Sequence, residues 1–313
     1  MSISKRKDEH IKFALKQENK TNDFDSIKLE HFSLPEIDFN EVNLETNYLS
    51  FKSSYPIYIN AMTGGSDKAY EINKKLAYYA KYFNIPLVLG SQSAALKDPN
   101  LIDSYKIVRE INKDGFIVSN VSANATLEEA KRAVEMIGAN ALSIHINVIQ
   151  ELVMNEGDRT FKHWQNNIKT IVENLNVPVI VKEVGFGMSR ETIATLINLG
   201  VKYIDVSGKG GTNFAEIERK RNNNDDLTFE NLGISTVDSL INAKAFNATF
   251  FASGGIRNAL DIFKALNLGA SAVGLSGFFL KLTNLDNSEA IKIIEQLLLN
   301  LQKLFVIFNK KTV

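Results

Sequence analysis

The chain has 313 residues, 44% of them hydrophobic and 23% charged, which is enough apolar material for a core and excludes a chain disordered throughout. Its 36 basic and 36 acidic side chains cancel, so overall charge does not favour nucleic acid or an anionic membrane as partner, and we expect small-molecule chemistry. The lack of cysteine excludes disulfides and thiolate chemistry. With no secretory signal or membrane span in the sequence, a cytoplasmic location is expected.

The first 47 residues are rich in charge and lack the pattern of the remainder. We therefore predict an N-terminal arm over residues 1–47 and one further domain over residues 48–313, since no low-complexity linker divides that stretch.

Eight short apolar runs, rich in β-branched residues, recur along residues 48–313, and each is followed by a stretch with helical spacing. Apolar residues on both faces indicate buried strands, and strands alternating with helices indicate parallel crossover units. Eight such units predict an α/β fold, a (β/α)₈ TIM barrel with an N-terminal extension. The runs are Pro56 to Ala61, Pro86 to Gly90, Gly115 to Asn120, Ala141 to Ile146, Pro178 to Lys182, Tyr203 to Ser207, Thr249 to Ser253 and Ser271 to Leu275.

Helical periodicity is clearest in four of the intervening stretches, three of which end in a glycine suited to stop a helix. The predicted helices are Ala69 to Tyr82, Leu127 to Ile137, Arg190 to Leu199 and Ala259 to Leu268, and the glycines are Gly138, Gly200 and Gly269.

Residues just after each predicted strand are polar or glycine-rich, and in a barrel of this type the chemistry is carried there. We expect them to meet at one mouth. The segments are 62–65, 91–93, 120–122, 145–151, 182–183, 207–212, 254–257 and 276–277.

A phosphate site is predicted after the last two strands. Gly254-Gly255-Ile256-Arg257 opens a helix and Ser276-Gly277 ends the final strand, so bare backbone N–H groups and a helix start face the same end of the barrel. Arg257 offers a further fork of donors. Each glycine taken alone could instead serve a tight turn.

Lys182 ends an apolar strand, where an ammonium needs an anion or an electron-rich ring as partner. A Schiff-base lysine and a lysine reaching to solvent are the alternatives.

The later loop from Ser207 to Thr212 lacks the spacing of a nucleotide P-loop, so ATP hydrolysis is not indicated.

Asn213 to Gly233 is longer than an ordinary barrel loop and suggests a lid. Within it, Glu216 to Asp226 is dense in charge, and we expect a solvated, mobile loop without specific side-chain contacts.

The apolar C-terminal helix from Ala290 to Phe308 could pack on its own barrel or on a neighbouring subunit.

Five motifs in order resemble type 2 isopentenyl diphosphate isomerase, over the range from Arg6 to about Phe279. Glycine stretches of this kind are shared by many flavin barrels, but the N-terminal Arg-Lys with His three residues on, joined to His-x-Asn-x-x-Gln-Glu, is specific to this family. The motifs are Arg6-Lys7-Asp8-Glu9-His10, Asn60 to Gly65, His145 to Glu151, Val181 to Gly187 and Asp205 to Thr212.

The resemblance implies FMN, Mg²⁺ and NADPH as cofactors and isopentenyl and dimethylallyl diphosphate as substrates. It implies catalytic roles for His145, Asn147 and Gln150, and Glu151 as the metal ligand. Substrate contacts are expected from Arg6, Lys7, His10, Ser91, Ser93 and Gln150. FMN contacts are expected from Ala61, Met62, Thr63, Ser91, Asn120, Lys182, Ser207, Thr212, Gly255, Ile256, Arg257, Ser276 and Gly277.

Two positions depart from the family pattern. Ser93 stands where Arg or His is common, which weakens or moves one diphosphate contact, and Leu232 stands where Trp is common, which alters the shape of the lid. Without the motif, Arg6 and Lys7 would be read as a solvated tail and His145 as a core histidine.

The implied reaction adds a proton at one end of an allylic unit and removes one from the other, with no net redox change. Reduced FMN would supply the acid and an electron-rich face, NADPH would reduce it, and Mg²⁺ on Glu151 would fix the diphosphate. The family suggests a homo-oligomer, a tetramer or octamer. The alternatives are an FMN oxidoreductase of the hydroxy-acid oxidase type and a flavin-free barrel that only binds a phosphometabolite.

Overall fold

A computed structural model describes residues 3–17 and 22–313. Residues 1–2 and 18–21 of the predicted arm lie outside the described residues. The strands are β1 (Thr46–Tyr48), β2 (Phe51–Ser53), β3 (Ile57–Ile59), β4 (Leu87–Val88), β5 (Ile117–Ser122), β6 (Ala141–His145), β7 (Val179–Lys182), β8 (Tyr203–Asp205), β9 (Thr249–Ser253) and β10 (Ala272–Leu275).

The helices surround these strands, and short 3₁₀ turns lie at Asp23–Ser26, Phe39–Glu41 and Pro99–Leu101. The helices are α1 (Ile3–Lys16), α2 (Asp67–Phe83), α3 (Ser93–Lys97), α4 (Asp103–Ile111), α5 (Leu127–Ile137), α6 (Val148–Val153), α7 (Trp164–Asn174), α8 (Arg190–Asn198), α9 (Phe214–Arg221), α10 (Thr236–Ala243), α11 (Ala259–Asn267), α12 (Gly277–Leu282) and α13 (Asn287–Ile307).

Strands β3 to β10 form a closed barrel in which all neighbours are parallel and β10 pairs with β3. The predicted TIM barrel is thereby confirmed. Seven of its strands fall within a predicted run, whereas β5 extends two residues beyond its run, to Ser122. Several strands are shorter than their predicted runs, such as β4 with two residues.

The four predicted helices are also confirmed as α2, α5, α8 and α11. Their first turns are capped by side chains at positions such as Thr126, whose hydroxyl accepts from the N–H of Glu129 while the Glu129 carboxylate accepts from the N–H of Thr126. Gly138 ends α5 with φ +56, a left-handed conformation that glycine adopts without strain.

Side chains alternate across each barrel strand, so residues two apart share the inner face. The lower interior is apolar and includes Val118, Ala141, Ile180 and Phe251. Two residues farther along the same strands, the inner face carries Asn120, Ser143, Lys182 and Ser253. The barrel is therefore apolar at its floor and polar toward its mouth.

The hairpin formed by β1 and β2 closes the floor and is not among the predicted elements. Tyr48 is buried there, with its ring stacked on Phe251 at 4.7 Å between centroids and tilted against Tyr58 at 5.1 Å. Phe51, which belongs to the same hairpin, packs on Phe116. These rings seal the end of the barrel opposite the mouth.

The C-terminal helix α13 packs on its own barrel, with Phe305 edge-on to Phe263 of α11 at 5.2 Å. Its buried residues, from Ala290 to Phe305, recur every three or four positions along one face. None of the helices in the two described stretches has both the length and the apolarity to cross a bilayer.

Candidate active site at the barrel mouth

A cavity of about 770 Å³ lies at the carboxyl ends of the barrel strands, within the range of roughly 300–1,000 Å³ usual for small-molecule sites. It is lined by residues of the barrel loops and of helix α1. Of the predicted site residues, all but Thr63 line it: Arg6, Lys7, His10, Ala61, Met62, Ser91, Ser93, Asn120, His145, Asn147, Gln150, Glu151, Lys182, Ser207, Thr212, Gly255, Ile256, Arg257, Ser276 and Gly277.

His145 is held in one tautomer by its neighbour on the next strand. The Asn120 amide nitrogen donates to the carbonyl oxygen of Leu89 (2.9 Å), which turns its oxygen toward Nδ1 of His145 (2.9 Å). Nδ1 therefore carries the proton and Nε2 a free lone pair. Burial, together with Lys182 and Lys7, lowers the pKa of His145 to about 3, so the ring is neutral at physiological pH.

Asn147 orients two of the predicted site residues at once. Its amide nitrogen donates to Oε1 of Gln150 (3.1 Å) and to Oε1 of Glu151 (2.9 Å), while Oε2 of Glu151 accepts from the backbone N–H of Asp158 (2.8 Å). The Asn147 carbonyl oxygen is buried without a partner in the described structure. The carboxylate is thus fixed, and one acceptor at its side remains open.

Lys182 lies on the inner face between His145 and Asp205, with which it pairs in register across the neighbouring strands. It is only 5% exposed, and its Nζ donates to the carbonyl oxygen of Glu183 (2.7 Å). An ammonium has three donors, so two remain for an acceptor in the cavity. Burial lowers the pKa of Lys182, while Asp205 and Glu183 raise it.

The glycine loops after β8 and β9 pack against each other, backbone to backbone. A Cβ on Gly254, which has φ +88, would lie 2.0 Å from the carbonyl oxygen of Gly208. Gly254 is therefore required for the close contact between the two loops. A Cβ on Gly277, at the start of α12, would meet no atom within 4 Å, so an anion has room to approach there.

The Arg257 guanidinium is paired with carboxylates of the protein. Its Nε donates to Asp261 (2.7 Å) and one terminal nitrogen donates to Asp25 (2.9 Å). The hydrogen bonds that its guanidinium donates to Asp261 and Asp25 raise the pKa of Arg257. Asn22 donates to the carbonyl oxygen of Gly255 (2.7 Å), so the arm is fastened to this loop at two points.

Helix α1 brings Arg6, Lys7 and His10 to the cavity, 40 residues or more from the barrel in sequence. Burial, with the charge of Arg6 as a smaller cause, lowers the pKa of Lys7 to about 8. The Nε of Arg6 is buried without a partner in the described structure, and its guanidinium lies 3.9 Å from Glu156. The arm therefore places cations at the mouth.

The expectation of a mobile, contact-free segment at Glu216 to Asp226 is wrong for its first part. Helix α9 occupies Phe214–Arg221, and Glu218 is fully buried, bonded to Nε2 of His10 (2.8 Å) and to Arg221. Arg221 also pairs with Glu9 and Glu156. The charges read from the sequence as solvated instead neutralise one another between α1 and α9.

The two family departures lie in different surroundings. Ser93 begins α3, and its hydroxyl lies 3.0 Å from that of Ser91 within the cavity lining. Leu232 is 44% exposed and does not line the cavity.

The donor set fits FMN and a metal shared with a diphosphate. Within the cavity lining, Lys182 has spare donors, and Gly277 leaves open space. Residues 3–17 and 22–313 hold no cluster of three or more metal-ligating side chains. Mg²⁺ is commonly held by one or two carboxylates plus substrate phosphate and water, which a single Glu151 fits.

A family model described as FMN-dependent dehydrogenase matches residues 105–300. Curated proteins named isopentenyl-diphosphate delta-isomerase include one from Latilactobacillus sakei, 52% identical over 88% of this chain and 80% of its own length. Another, from Listeria monocytogenes serotype 4b, is 47% identical over 99% of this chain and 88% of its own.

Solved structures with the same fold include a flavocytochrome b2 variant (TM-score 0.66, 17% identity, 99% of this chain and 76% of that one). A variant of a chimera of (S)-mandelate dehydrogenase has a TM-score of 0.65 at 16% identity, covering 97% of this chain and 88% of its own.

Proposed function

Since the chain belongs to the isopentenyl-diphosphate delta-isomerase family and its barrel to the FMN-dependent dehydrogenase family, we propose that the mouth of the barrel interconverts isopentenyl and dimethylallyl diphosphate at reduced FMN. One observation carries the proposal. Cations of the arm, the Gln150-Glu151 pair and the buried Lys182 line a single cavity, as a substrate with one charged end and one hydrocarbon end requires.

The charged end of the substrate is assigned to the arm side of the cavity. Arg6, Lys7 and His10 would bind the diphosphate, with Ser91, Ser93 and Gln150 as further contacts. Glu151 would hold Mg²⁺ against the same phosphates, because Asn147 and the Asp158 N–H already fix its carboxylate. With the charged end fixed, the hydrocarbon end extends toward the barrel axis.

The FMN contacts are assigned to the barrel loops. Ala61, Met62, Thr63, Asn120, Lys182, Ser207 and Thr212 would hold the ring and ribityl chain, and the loops at Gly255 to Arg257 and Ser276-Gly277 the phosphate. When bound in its reduced form, FMN supplies a ring nitrogen for proton transfer and an electron-rich face beside a developing cation. Because the Arg257 guanidinium is committed to Asp25 and Asp261, its side chain is assigned to holding the phosphate loop in place.

The wall of His145, Asn147 and Gln150 is assigned to orientation of the substrate. Neutral His145 keeps its proton on Nδ1, against Asn120, and offers Nε2 as an acceptor. It therefore cannot supply an acidic proton at neutral pH, which assigns it to positioning.

Several finer assignments belong to the same proposal. NADPH would reduce the flavin, the product would enter isoprenoid biosynthesis, and the protein would act in the cytoplasm as a tetramer or octamer. Residues 1–47 would form the substrate-binding arm and 48–313 the FMN barrel, with the hairpin at Thr46–Ser53 crossing that boundary.

A visible spectrum with anaerobic turnover tests the proposal. We expect yellow protein that bleaches on reduction with NADPH and then converts isopentenyl diphosphate in the presence of Mg²⁺ without consuming further reductant. One flavin reduced per substrate oxidised would instead support a hydroxy-acid oxidoreductase. Colourless protein that cannot be loaded with FMN would support a flavin-free binding barrel.

A further inference from the structure

Asp205 is a buried carboxylate beneath the cavity. It lies on the inner face of β8, is 2% exposed, and is not among the residues that line the cavity. Four neutral donors surround it. Oδ2 accepts from the Tyr58 hydroxyl (2.8 Å) and the Asn60 amide (3.2 Å), and Oδ1 accepts from the Ser253 hydroxyl (2.8 Å) and the Ser207 N–H (3.1 Å).

These four hydrogen bonds satisfy the carboxylate oxygens but bring no opposite charge to them. A buried carboxylate is costly without an opposite charge nearby. Lys182 is in register with Asp205 on the adjacent parallel strand, so the two side chains emerge side by side on the inner face. Asp205 and Lys182 are therefore neighbours across one pair of strands, and the charge of Asp205 raises the pKa of Lys182.

The other ionisable groups around Lys182 compensate it less well. Glu183, next to it on the chain, is caged by the backbone N–H groups of Val184, Gly185 and Phe186, and burial raises its pKa to about 7. It is therefore only partly ionised at neutral pH. His145, on the opposite neighbouring strand, is neutral there.

We propose that Asp205 is a positioning residue that keeps Lys182 protonated at the cavity, so that its ammonium would donate charge-assisted hydrogen bonds to FMN. The inference rests on the proposed function, because the contact between Lys182 and FMN belongs to it. Asp205 itself does not line the cavity.

The test is the FMN dissociation constant of apoprotein, measured by fluorescence titration between about pH 6.5 and 9, for the wild type and Asp205→Asn. Without the carboxylate, Lys182 loses its proton at lower pH and the charge-assisted contact disappears as the pH rises. We expect the variant to bind FMN nearly as well as wild type at the acid end and roughly tenfold or more weakly at the alkaline end. FMN also has ionisable groups, but their effect on the pH dependence of binding is the same for every variant and cancels in the comparison.

Two controls separate charge from structure. Tyr58→Phe removes one neutral hydrogen bond to the same oxygen and should leave the pH dependence of FMN affinity as in the wild type. Lys182→Met removes the responding group. If Asp205 acts through Lys182, then Asp205→Asn has no further effect on FMN affinity in the Lys182→Met background.

A pH-independent dissociation constant in Asp205→Asn, or an equal effect in the Lys182→Met background, would overturn the inference. If Asp205→Asn does not fold, folding of the double variant supports charge compensation, and failure of both variants to fold overturns it. Wild-type protein that binds FMN without isomerising isopentenyl diphosphate refutes the proposed function and leaves this test intact.

Discussion

The floor of the barrel interior is filled by aromatic and aliphatic side chains, whereas the same strands carry amides, hydroxyls and charged groups near the mouth. Tyr48 and Phe251 stack at the floor, and Asn120, His145 and Lys182 lie above them. Along the barrel axis, the floor therefore serves stability and the mouth serves ligand binding. Apolar contacts below hold the barrel closed, so the polar groups above can remain incompletely paired and available to ligands.

Removing a floor ring should produce the largest effect. Phe251→Ala deletes a fully buried side chain in contact with Tyr48 and Tyr58, and we expect a loss of about 3–5 kcal/mol in the free energy of unfolding, measured by urea denaturation. Phe229→Ala, at an exposed ring in the long loop, is the matched control and should cost less than about 0.5 kcal/mol. Equal effects would show that the floor does not carry the stability.

A change at the mouth should impair turnover and leave stability almost intact. Glu151→Gln keeps the shape of the side chain but removes the negative charge assigned to Mg²⁺, so we expect turnover to fall by roughly a hundredfold. FMN binding and the unfolding midpoint should match the wild type. Glu128→Gln, on the exposed face of α5, should change none of these. Near-normal Mg²⁺-dependent turnover in Glu151→Gln would remove Glu151 from its role.

The next effect is a pH dependence at the mouth with no counterpart at the floor. Burial lowers the pKa of Lys7 to about 8, so the ammonium is present below that pH and is lost as the pH rises through it. Because kcat/KM reports groups of the free enzyme, it should fall by up to about tenfold per pH unit above about 8. Lys7→Arg, charged throughout this range, should abolish the fall. A profile unchanged by Lys7→Arg would assign the titration to another group.

The smallest effect is expected outside both regions. Leu232→Trp restores the residue common in the family at an exposed position that does not line the cavity, and we expect KM for isopentenyl diphosphate to change by less than about twofold. A larger change in steady-state kinetics would show that the long loop moves over the mouth during turnover.

The barrel itself could be predicted from the sequence because buried parallel strands require continuous apolar runs, and each run is followed by a helix with its own periodicity and stop. The same logic located the cavity lining, since residues after parallel strands meet at one end. Thr63 is the predicted residue that does not line the cavity, and its buried hydroxyl faces no partner in the described structure.

Three features could not be predicted. The floor hairpin has strands of three residues of mixed polarity, too short for a periodic signal. For helix α9 the sequence indicates a solvated loop, because His10, the partner of Glu218, lies 208 residues away. Asp205 begins the motif Asp205 to Thr212, but its role is not visible in the sequence, because Tyr58, Asn60 and Ser253 reach it from other parts of the barrel.

The sequence by itself determined the strand order, the barrel class and which residues stand at the strand ends, because those depend on periodicity and local steric preference. Only the tertiary structure decided which charges are neutralised and by what. Pairing of buried charges depends on distances between residues remote in the chain, as in Glu218 with His10 and Arg257 with Asp25. Burial then sets which groups, such as His145, stay neutral.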